Sequence, residues 1–167
     1  MNLEKLVIFE KVASMLANEE IEISTTDFLR PWGGFFVIDT NASSLKNFIK
    51  SFYPELTDEL EGTDLPLSPK ILCVAPGQRL SWQYHDRRSE YWKLIEGEAG
   101  YIKSDTDHPS EVQNMVLNET LVLKQGERHR LIGLNDWGII AEIWKHTKPE
   151  HPSDEEDIVR LQDDFGR

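Results

Sequence analysis

The feature that most constrains the fold is a succession of short apolar or alternating runs from Lys70 onward, separated by glycine, proline, asparagine or aspartate. The runs are KILCVAP, RLSWQYH, YWKLIEGEAGYIK, ETLVLKQ, HRLIGL and WGIIAEIWKH. Closely spaced strands with turn signals between them are typical of β-sandwiches and barrels. At 167 residues the chain is long enough to bury a core as one unit, so we predict an all-β main domain.

The region before this succession and the tail carry helical signals. Residues 1–20 place apolar side chains at helical spacing, and SSLKNFIKSFYPEL predicts a short helix that begins at a serine cap and ends near Pro54. RPWGGFFVIDT predicts a turn that enters a strand, TDELEGTDLPLSP a surface loop, and the acidic tail a short helix or extended arm. We predict an N-terminal helical extension over residues 1–29 and a domain with short peripheral helices over residues 30–167.

Composition excludes several classes of function. A net charge of -12 disfavours nucleic acid, because a phosphate backbone binds clustered lysine and arginine. The single cysteine, Cys73, excludes a disulfide framework and a thiolate zinc site. Charges at Glu4, Lys5, Glu10 and Lys11 interrupt the N-terminus, which is unlike a signal peptide, and no apolar run is long enough to span a membrane. We expect a soluble protein in a reducing, cytoplasmic setting.

A polar constellation stands between two of the predicted strands, in PGQRLSWQYHDRRSEYWKLIEGEAG. Gln83 and His85 are two residues apart and therefore share one face of a strand. Glu90 opens the next strand after the turn DRRS, and His129 follows a glycine turn in KQGERHRL. Imidazole, carboxylate and amide ligands suit zinc, iron or manganese. From residue types alone, metal ligation and ordinary strand polarity are about equally supported.

The spacing of these residues resembles the two sequence motifs of the cupin superfamily, with glutamine where the first histidine often stands. The matching positions are Gly77, Gln83, His85, Glu90 and Gly97 in the first motif and His129 in the second. The resemblance implies a double-stranded β-helix, a jelly-roll barrel with a metal held inside it.

Longer motifs make the resemblance more specific. RPWGG, KILCVAPG, LSWQYHDRRSEYW, GERHRL, AEIW and EEDIVRLQDDFGR are similar, in kind and in order, to motifs of the cupin domain of type II mannose-6-phosphate isomerases. That domain is often fused to a guanylyltransferase, whose nucleotide-binding glycine loop we do not expect here. The similarity extends from Arg30 to the end of the chain, apart from an apparent insertion near residues 41–66.

The resemblance implies a ligand set and a reaction. Gln83, His85, Glu90 and His129 would hold one divalent ion, zinc by resemblance, with manganese, cobalt, nickel or iron as alternatives. The implied activity is an aldose–ketose isomerisation that interconverts mannose 6-phosphate and fructose 6-phosphate.

Further roles follow from matching positions. Arg88 would stabilise the enediolate, and Glu142 is the candidate base, although a buried strand carboxylate can equally be the structural partner of an arginine. Arg167, the last residue, would reach the pocket mouth if the tail packs on the barrel. The candidates for binding the phosphate are Arg30, Lys70 and Arg130, with Arg160 nearby.

Three positions depart from the pattern of the family and leave other interpretations open. Asp86 stands where another histidine is common, Lys124 where proline is common, and Trp144 where glutamine is expected. A different sugar phosphate therefore remains open, as does a non-catalytic sugar-binding or regulatory cupin. His85, Glu90 and His129 could also form the iron triad of an oxygenase. We expect a small phosphorylated sugar as partner, no nucleic acid or membrane, and a possible homodimer formed through sheet edges.

Overall fold

The structure is a computed structural model, which describes residues 3–166. The predicted all-β architecture with short helices is confirmed: nine strands lie in the described residues, and every strand pairing among them is antiparallel. The strands are β1 (Ile23–Asp27), β2 (Gly33–Ile38), β3 (Leu67–Val74), β4 (Trp82–His85), β5 (Arg88–Ser104), β6 (Gln113–Asn114), β7 (Thr120–Leu123), β8 (Arg128–His146) and β9 (Ile158–Gln162).

The described residues also form three α-helices and two short 3-10 turns. The helices are α1 (Leu3–Asn18), α2 (Ala42–Phe52) and α3 (Thr57–Glu61), and the 3-10 turns are Pro54–Leu56 and Glu155–Asp157. The predicted serine cap of α2 is wrong, because the side chain of Asn41 accepts the backbone N–H of Ser44 instead. The surface loop predicted for TDELEGTDLPLSP is wrong at both ends, because the segment begins with α3 and ends with the first residues of β3. No helix among residues 3–166 is long and apolar enough to cross a membrane.

Strands β5 and β8 form a long, bent antiparallel pair that joins the branches of a single nine-stranded sheet. The C-terminal half of β8 pairs with β3, which pairs with β2, which in turn pairs with β1. The N-terminal half of β5 pairs with β7. At the other end, β8 pairs with β4, which pairs with β9, and β5 pairs with β6. HRLIGL and WGIIAEIWKH look like two separate runs in the sequence, but both lie in β8. The pair bends together, with register shifts in β5 between Leu94 and Ala99.

Glycines permit this bend and one of the turns. Gly97 has a φ of 75°, and a Cβ there would lie 1.7 Å from the carbonyl oxygen of Trp137 on β8. Gly77, in the turn after β3, has a φ of 69°. An L side chain at either position would be strained, and at Gly97 it would also collide with the partner strand.

Alternation along the strands separates two apolar cores. On β3, Ile71 and Cys73 face the helices, whereas Leu72 and Val74 face the barrel interior. Cys73 is fully buried, and burial raises the pKa of its thiol, which agrees with a packing role.

The segment before residue 30 contains a strand as well as a helix. α1 buries Phe9, Val12 and Leu16 against the outer face of the sheet, while β1 pairs with β2. The division of the chain at residue 29 stays a prediction. The tail contains an extended arm, since β9 pairs with β4.

Candidate metal centre and pocket

The strands that build the barrel are apolar inside at one end and polar inside at the other. Leu131 of β8 belongs to the interior core, and His129, two residues earlier, lies on the same face of the strand. The same period of two relates Glu90 to Trp92 on β5 and Glu142 to Ile140 on β8. Period-two alternation therefore gathers ionisable side chains from separate strands at one end of the interior.

His85, Glu90 and His129 form a compact group, here called the His–Glu–His cluster. One ligand atom from each residue lies within 4.8 Å of the others, and each residue is no more than 2% exposed. The Nε2 atoms of the two histidines are 3.2 Å apart. The carboxylate of Glu90 contacts both rings, with Oε1 3.1 Å from His85 and Oε2 3.4 Å from His129.

The free atoms of this cluster suit a divalent cation. Nδ1 of His129 lies 2.9 Å from the carbonyl oxygen of Glu127, an arrangement that orients the ring and leaves Nε2 as the ligand atom. Oε2 of Glu90 is buried and has no hydrogen-bond partner within residues 3–166. Three converging nitrogen and oxygen donors with an unsatisfied carboxylate oxygen match the donor types of zinc, manganese or iron sites.

Gln83 lies beside the cluster, as the sequence predicts for two residues on one strand face. Its amide nitrogen is 3.4 Å from Nε2 of His85, and its oxygen accepts a hydrogen bond of 2.5 Å from the hydroxyl of Ser81. Rotating the amide by half a turn would direct its oxygen toward His85. Gln83 is therefore placed to be a fourth ligand.

Electrostatics keep Glu90 and His129 in the protonation states that a cation needs. Burial alone would raise the pKa of Glu90, but the charges of Arg88, His85 and His129 outweigh it and hold this pKa well below its ordinary value. Burial lowers the pKa of His129 to about 4, against the opposing charge of Glu90. At neutral pH the carboxylate is ionised and the His129 ring is neutral, as metal ligands must be.

Arg88 connects the cluster to the C-terminal tail. Its Nε donates to Oε1 of Glu90 at 2.7 Å, and Nη1 donates to the hydroxyl of Ser153 at 2.8 Å. Nη2 lies 3.0 Å from Nε2 of His85. Arg88 is 2% exposed, so its guanidinium is a fixed positive charge at the edge of the cluster.

Glu142 is buried at the wall of the same pocket as Arg88 and accepts a hydrogen bond of 2.9 Å from the indole nitrogen of Trp92. Burial, reinforced by the charge of Glu90, raises the pKa of Glu142 to about 7, while Lys70 and Arg88 act in the opposite direction. A carboxyl group with this pKa can exchange a proton near neutral pH.

Of the residues predicted to bind phosphate, Arg30 and Lys70 line the pocket together with Arg160. Arg130 does not line it. Neighbouring strand residues face opposite ways, so the inward position of His129 directs Arg130 away from the interior, where it donates to the carbonyl oxygen of Gln162. The predicted role of Arg167 lies outside the described residues.

A known protein family matches most of the residues that line this pocket. The family model described as "Mannose-6-phosphate isomerase C-terminal" matches residues 63–163. The chain belongs to this family. The predicted membership is confirmed, and the matched residues include the whole His–Glu–His cluster.

Curated relatives of the mannose-6-phosphate isomerase C-terminal family are much longer than this chain. A xanthan biosynthesis protein XanB of Xanthomonas campestris is 32% identical over 98 residues, which cover 59% of this chain and 19% of the relative. A mannose-1-phosphate guanylyltransferase of Salmonella montevideo is 27% identical over 161 residues, 96% of this chain and 27% of the relative. The chain thus spans about a fifth to a quarter of the length of these relatives.

Solved structures agree with the predicted cupin fold. A variant of oxalate decarboxylase from Bacillus subtilis aligns with a TM-score of 0.58 and 16% identity over 84% of this chain and 31% of that one. A second variant of the enzyme from the same organism aligns with a TM-score of 0.57 over 82% of this chain and 30% of that one, at 14% identity. At these identities the likeness establishes the fold, and the cupin prediction is confirmed.

Sequence reasoning missed the residues of the tail that support Arg88. Ser153 receives a hydrogen bond from Arg88 and donates one of 2.5 Å to Oδ2 of Asp157. Its backbone N–H donates to Nδ1 of His146, whose Nε2 lies 2.7 Å from the hydroxyl of Ser68. In sequence these side chains belong to polar stretches of ordinary appearance, and no local pattern indicates that the tail folds back onto the pocket.

Proposed function

We propose that this protein is a metal-dependent aldose–ketose isomerase that interconverts mannose 6-phosphate and fructose 6-phosphate. The observation that carries the proposal is the placement of three chemical functions at one end of the barrel interior. The His–Glu–His cluster is suited to a divalent cation, Glu142 has a pKa of about 7, and Arg88 and Lys70 supply positive charge. Gln83 would complete the ligand set, and zinc is the ion that we propose.

Isomerisation of an aldose phosphate moves a proton between neighbouring carbons, and negative charge develops on two adjacent oxygens. A divalent cation, when bound, supplies Lewis acidity that polarises such oxygens. Glu142 would accept the proton from one carbon and return it to the next, which requires its ionised form. Arg88 would offer a fixed positive charge to the developing oxyanions, because Glu90 and Ser153 hold it in place.

The phosphate group would bind at the outer part of the pocket. Arg30, Lys70 and Arg160 lie there, and Arg30 and Arg160 each have an acidic neighbour, Asp27 at 2.7 Å and Glu155 at 3.5 Å respectively. These cations are local exceptions in a chain of net charge -12, which favours a small anionic ligand over a polyanion. A cytoplasmic location would fit such a substrate.

A coupled assay across hexose and heptose phosphates, combined with metal analysis, tests the proposal. The wild-type protein should carry about one divalent ion per chain and isomerise mannose 6-phosphate. The double variant His85→Ala/His129→Ala should lose both the ion and the activity, because it removes two of the buried ligands. The matched control His108→Ala/His151→Ala, in exposed polar segments, should keep both. Full metal content in the His85/His129 variant would overturn the ligand assignment.

A second candidate function is a cupin oxygenase. Two histidines and one carboxylate are the ligand set of non-haem iron sites, and the His–Glu–His cluster supplies that set. Finding iron in the purified protein, with oxygen consumption and no isomerase activity, would favour this interpretation.

A non-catalytic sugar-binding or regulatory cupin is the third candidate. The large indole of Trp144 at the pocket wall, where the family pattern has glutamine, is the observation that favours it. Tight binding of sugar phosphates without turnover in any of the assays would support this candidate over the isomerase.

A further inference from the structure

Cations and aromatic rings alternate along one wall of the pocket. The guanidinium of Arg30 lies 5.4 Å from the ring centre of Phe35, and the ammonium of Lys70 lies at the same distance from that ring. Lys70 is also 3.3 Å from the ring centre of Trp144, and the guanidinium of Arg88 is 3.4 Å from it. All five side chains line the pocket, and the series ends at Arg88, beside Glu90.

The indole of Trp144 separates two positive charges. The Lys70 ammonium and the Arg88 guanidinium each lie 3.3–3.4 Å from one ring centre and would overlap if they shared a face, so they occupy opposite faces. Each face of an indole carries partial negative charge that attracts a cation. The ring thus keeps the two cations apart and attracts both.

Lys70 depends on this ring more than Arg88 does. Arg88 is also held by hydrogen bonds to Glu90 and Ser153, at 2.7 and 2.8 Å. Lys70 forms no ion pair with a carboxylate of residues 3–166, so its contacts with the rings of Trp144 and Phe35 are what fix the position of its ammonium. An ammonium with free donors, half-buried at the wall of a pocket, is suited to an anionic ligand.

A competing partner lies close to Lys70. Glu142 is opposite Lys70 in the pairing of β3 with β8, and both line the pocket. Without the ring, attraction to the buried carboxylate would draw the ammonium of Lys70 toward Glu142 and away from the outer part of the pocket.

We propose that Trp144 is a positioning residue that holds Lys70 toward the pocket as the binding group for a phosphate monoester. The inference rests on the proposed function for the choice of a sugar phosphate as ligand. It concerns binding rather than chemistry, because Arg88 keeps its own hydrogen bonds when the ring is changed.

Titration calorimetry with mannose 6-phosphate, inorganic phosphate and unphosphorylated mannose tests this role in the purified metal-containing protein. Trp144→Gln should weaken binding of mannose 6-phosphate and of inorganic phosphate by about 10-fold and leave binding of mannose unchanged. Trp144→Phe, which keeps an aromatic face, should stay within about 3-fold of wild type. In turnover, Trp144→Gln should raise KM more than it lowers kcat.

A double-mutant cycle with Lys70→Met separates positioning from general damage to the pocket. If Trp144 acts through Lys70, Trp144→Gln should have little further effect on phosphate affinity in the Lys70→Met background. Phe35→Leu, a milder change at the second ring, should weaken phosphate binding more in the wild-type background than in the Lys70→Met background, where only its contact with Arg30 is left to lose. Phe35→Leu keeps the test informative if Trp144→Gln fails to fold.

Equal losses of affinity in both backgrounds would overturn the proposal, and so would a Lys70→Met variant that binds phosphate as well as wild type. Failure of the proposed isomerase function is a separate result: sugar phosphates would then bind through Lys70 and Trp144 without being converted. That result would leave the role of Trp144 intact.

Discussion

At the scale of single residues, two carboxyl groups at one end of the barrel are driven to opposite protonation behaviour. Glu90 has three positively charged or protonatable neighbours, which outweigh its burial and lower its pKa. Glu142 is equally enclosed, but burial and the charge of Glu90 raise its pKa to about 7. Two carboxyl groups whose environments drive their pKa values apart are suited to different tasks, one as a permanent charge and the other as a group that exchanges protons near neutral pH.

Replacing Glu142 with glutamine should therefore affect activity and stability in opposite directions. The variant loses the group that we propose as the proton acceptor, so kcat should fall about 100-fold or more while metal content is retained. In the wild type, kcat/KM should rise with pH as this carboxyl ionises, with a midpoint near pH 7. The positive charge of a bound cation would move this midpoint to lower pH. Kinetics across roughly pH 5–9 measure both effects.

The stability of the metal-free protein provides the second readout. The folded-state pKa of Glu142 lies above its ordinary value of 4.5, so the protonated form favours folding at low pH, and this contribution is lost as pH rises through about 7. Glu142→Gln should be more stable than wild type at about pH 8, by about 3 kcal/mol, and similar to it near about pH 4. The exposed control Glu111→Gln should show no such crossover. A constant difference between Glu142→Gln and wild type at all pH values would contradict the raised pKa.

At the scale of elements, the segment Ser153–Asp157, here called the strap, joins the tail to the turn between β4 and β5. The carboxylate of Asp157 accepts hydrogen bonds from the backbone N–H of Asp86, at 3.2 Å, and from that of Arg87, at 3.0 Å. Ser153 links the same carboxylate to Arg88, and Arg88 contacts Glu90. The strap therefore stabilises the turn that places two metal-ligand candidates, one on each side of it.

Asp157→Asn should test the strap through stability at acidic pH. Burial would raise the pKa of Asp157, but hydrogen bonds from Ser153 and from the Arg87 and Asp86 backbone outweigh it, so the pKa is lowered. A lowered folded-state pKa contributes stability above the unfolded value, near about pH 4, and this contribution is lost as pH falls through the folded value.

We expect Asp157→Asn to cost about 1–3 kcal/mol near neutral pH, because an amide cannot accept all of these hydrogen bonds. The difference from wild type should begin to shrink below about pH 4 and should vanish only below the lowered folded-state pKa, where the carboxyl of the folded wild type is protonated. Denaturant unfolding at about pH 7 and about pH 3 measures both values. The neighbouring exposed Glu156→Gln is the matched control and should be neutral. A loss of stability that is the same at both pH values would contradict the role of the ionised carboxylate.

The elements differ in how far the sequence predicts them. The apolar run in KILCVAP and the glycines before FFVID were sufficient for β3 and β2, because both faces of these strands pack against apolar cores. β8 was harder, since Asn135 and Asp136 resemble a turn but lie within a continuous strand from Arg128 to His146. Its continuity depends on pairing with β5, a long-range interaction that no local window contains.

At the scale of the whole molecule, the site was predictable to the extent that strand periodicity determines it. His85 and Gln83 share a strand face by their spacing alone, and the family resemblance brought Glu90 and His129 to the same place. The outward direction of Arg130 also follows from alternation once His129 faces inward. The strap could not be predicted, because nothing local in its sequence specifies contact with Arg88.

In the same geometry a bound metal ion would cross-link strands. His85 lies on β4, Glu90 on β5 and His129 on β8, so one ion would connect three strands that are separated along the chain. A ligand that binds the folded state and not the unfolded chain stabilises the fold by mass action, about 2.7 kcal/mol at about 100 times its Kd. For a chain of this size, that corresponds to a rise in Tm of roughly 5–10 °C.

We therefore expect zinc at about 100 times its Kd to raise the Tm of the chelator-treated protein by this amount, and renewed chelation to reverse the change. Differential scanning calorimetry near neutral pH measures the shift, and the rise should fall away at acidic pH as protons compete for the ligands. His85→Ala/His129→Ala should abolish the rise, whereas His108→Ala/His151→Ala should leave it unchanged. An equal rise in the His85/His129 variant would mean that the ion binds elsewhere, and the strands that form the barrel would then gain no stability from metal at the His–Glu–His cluster.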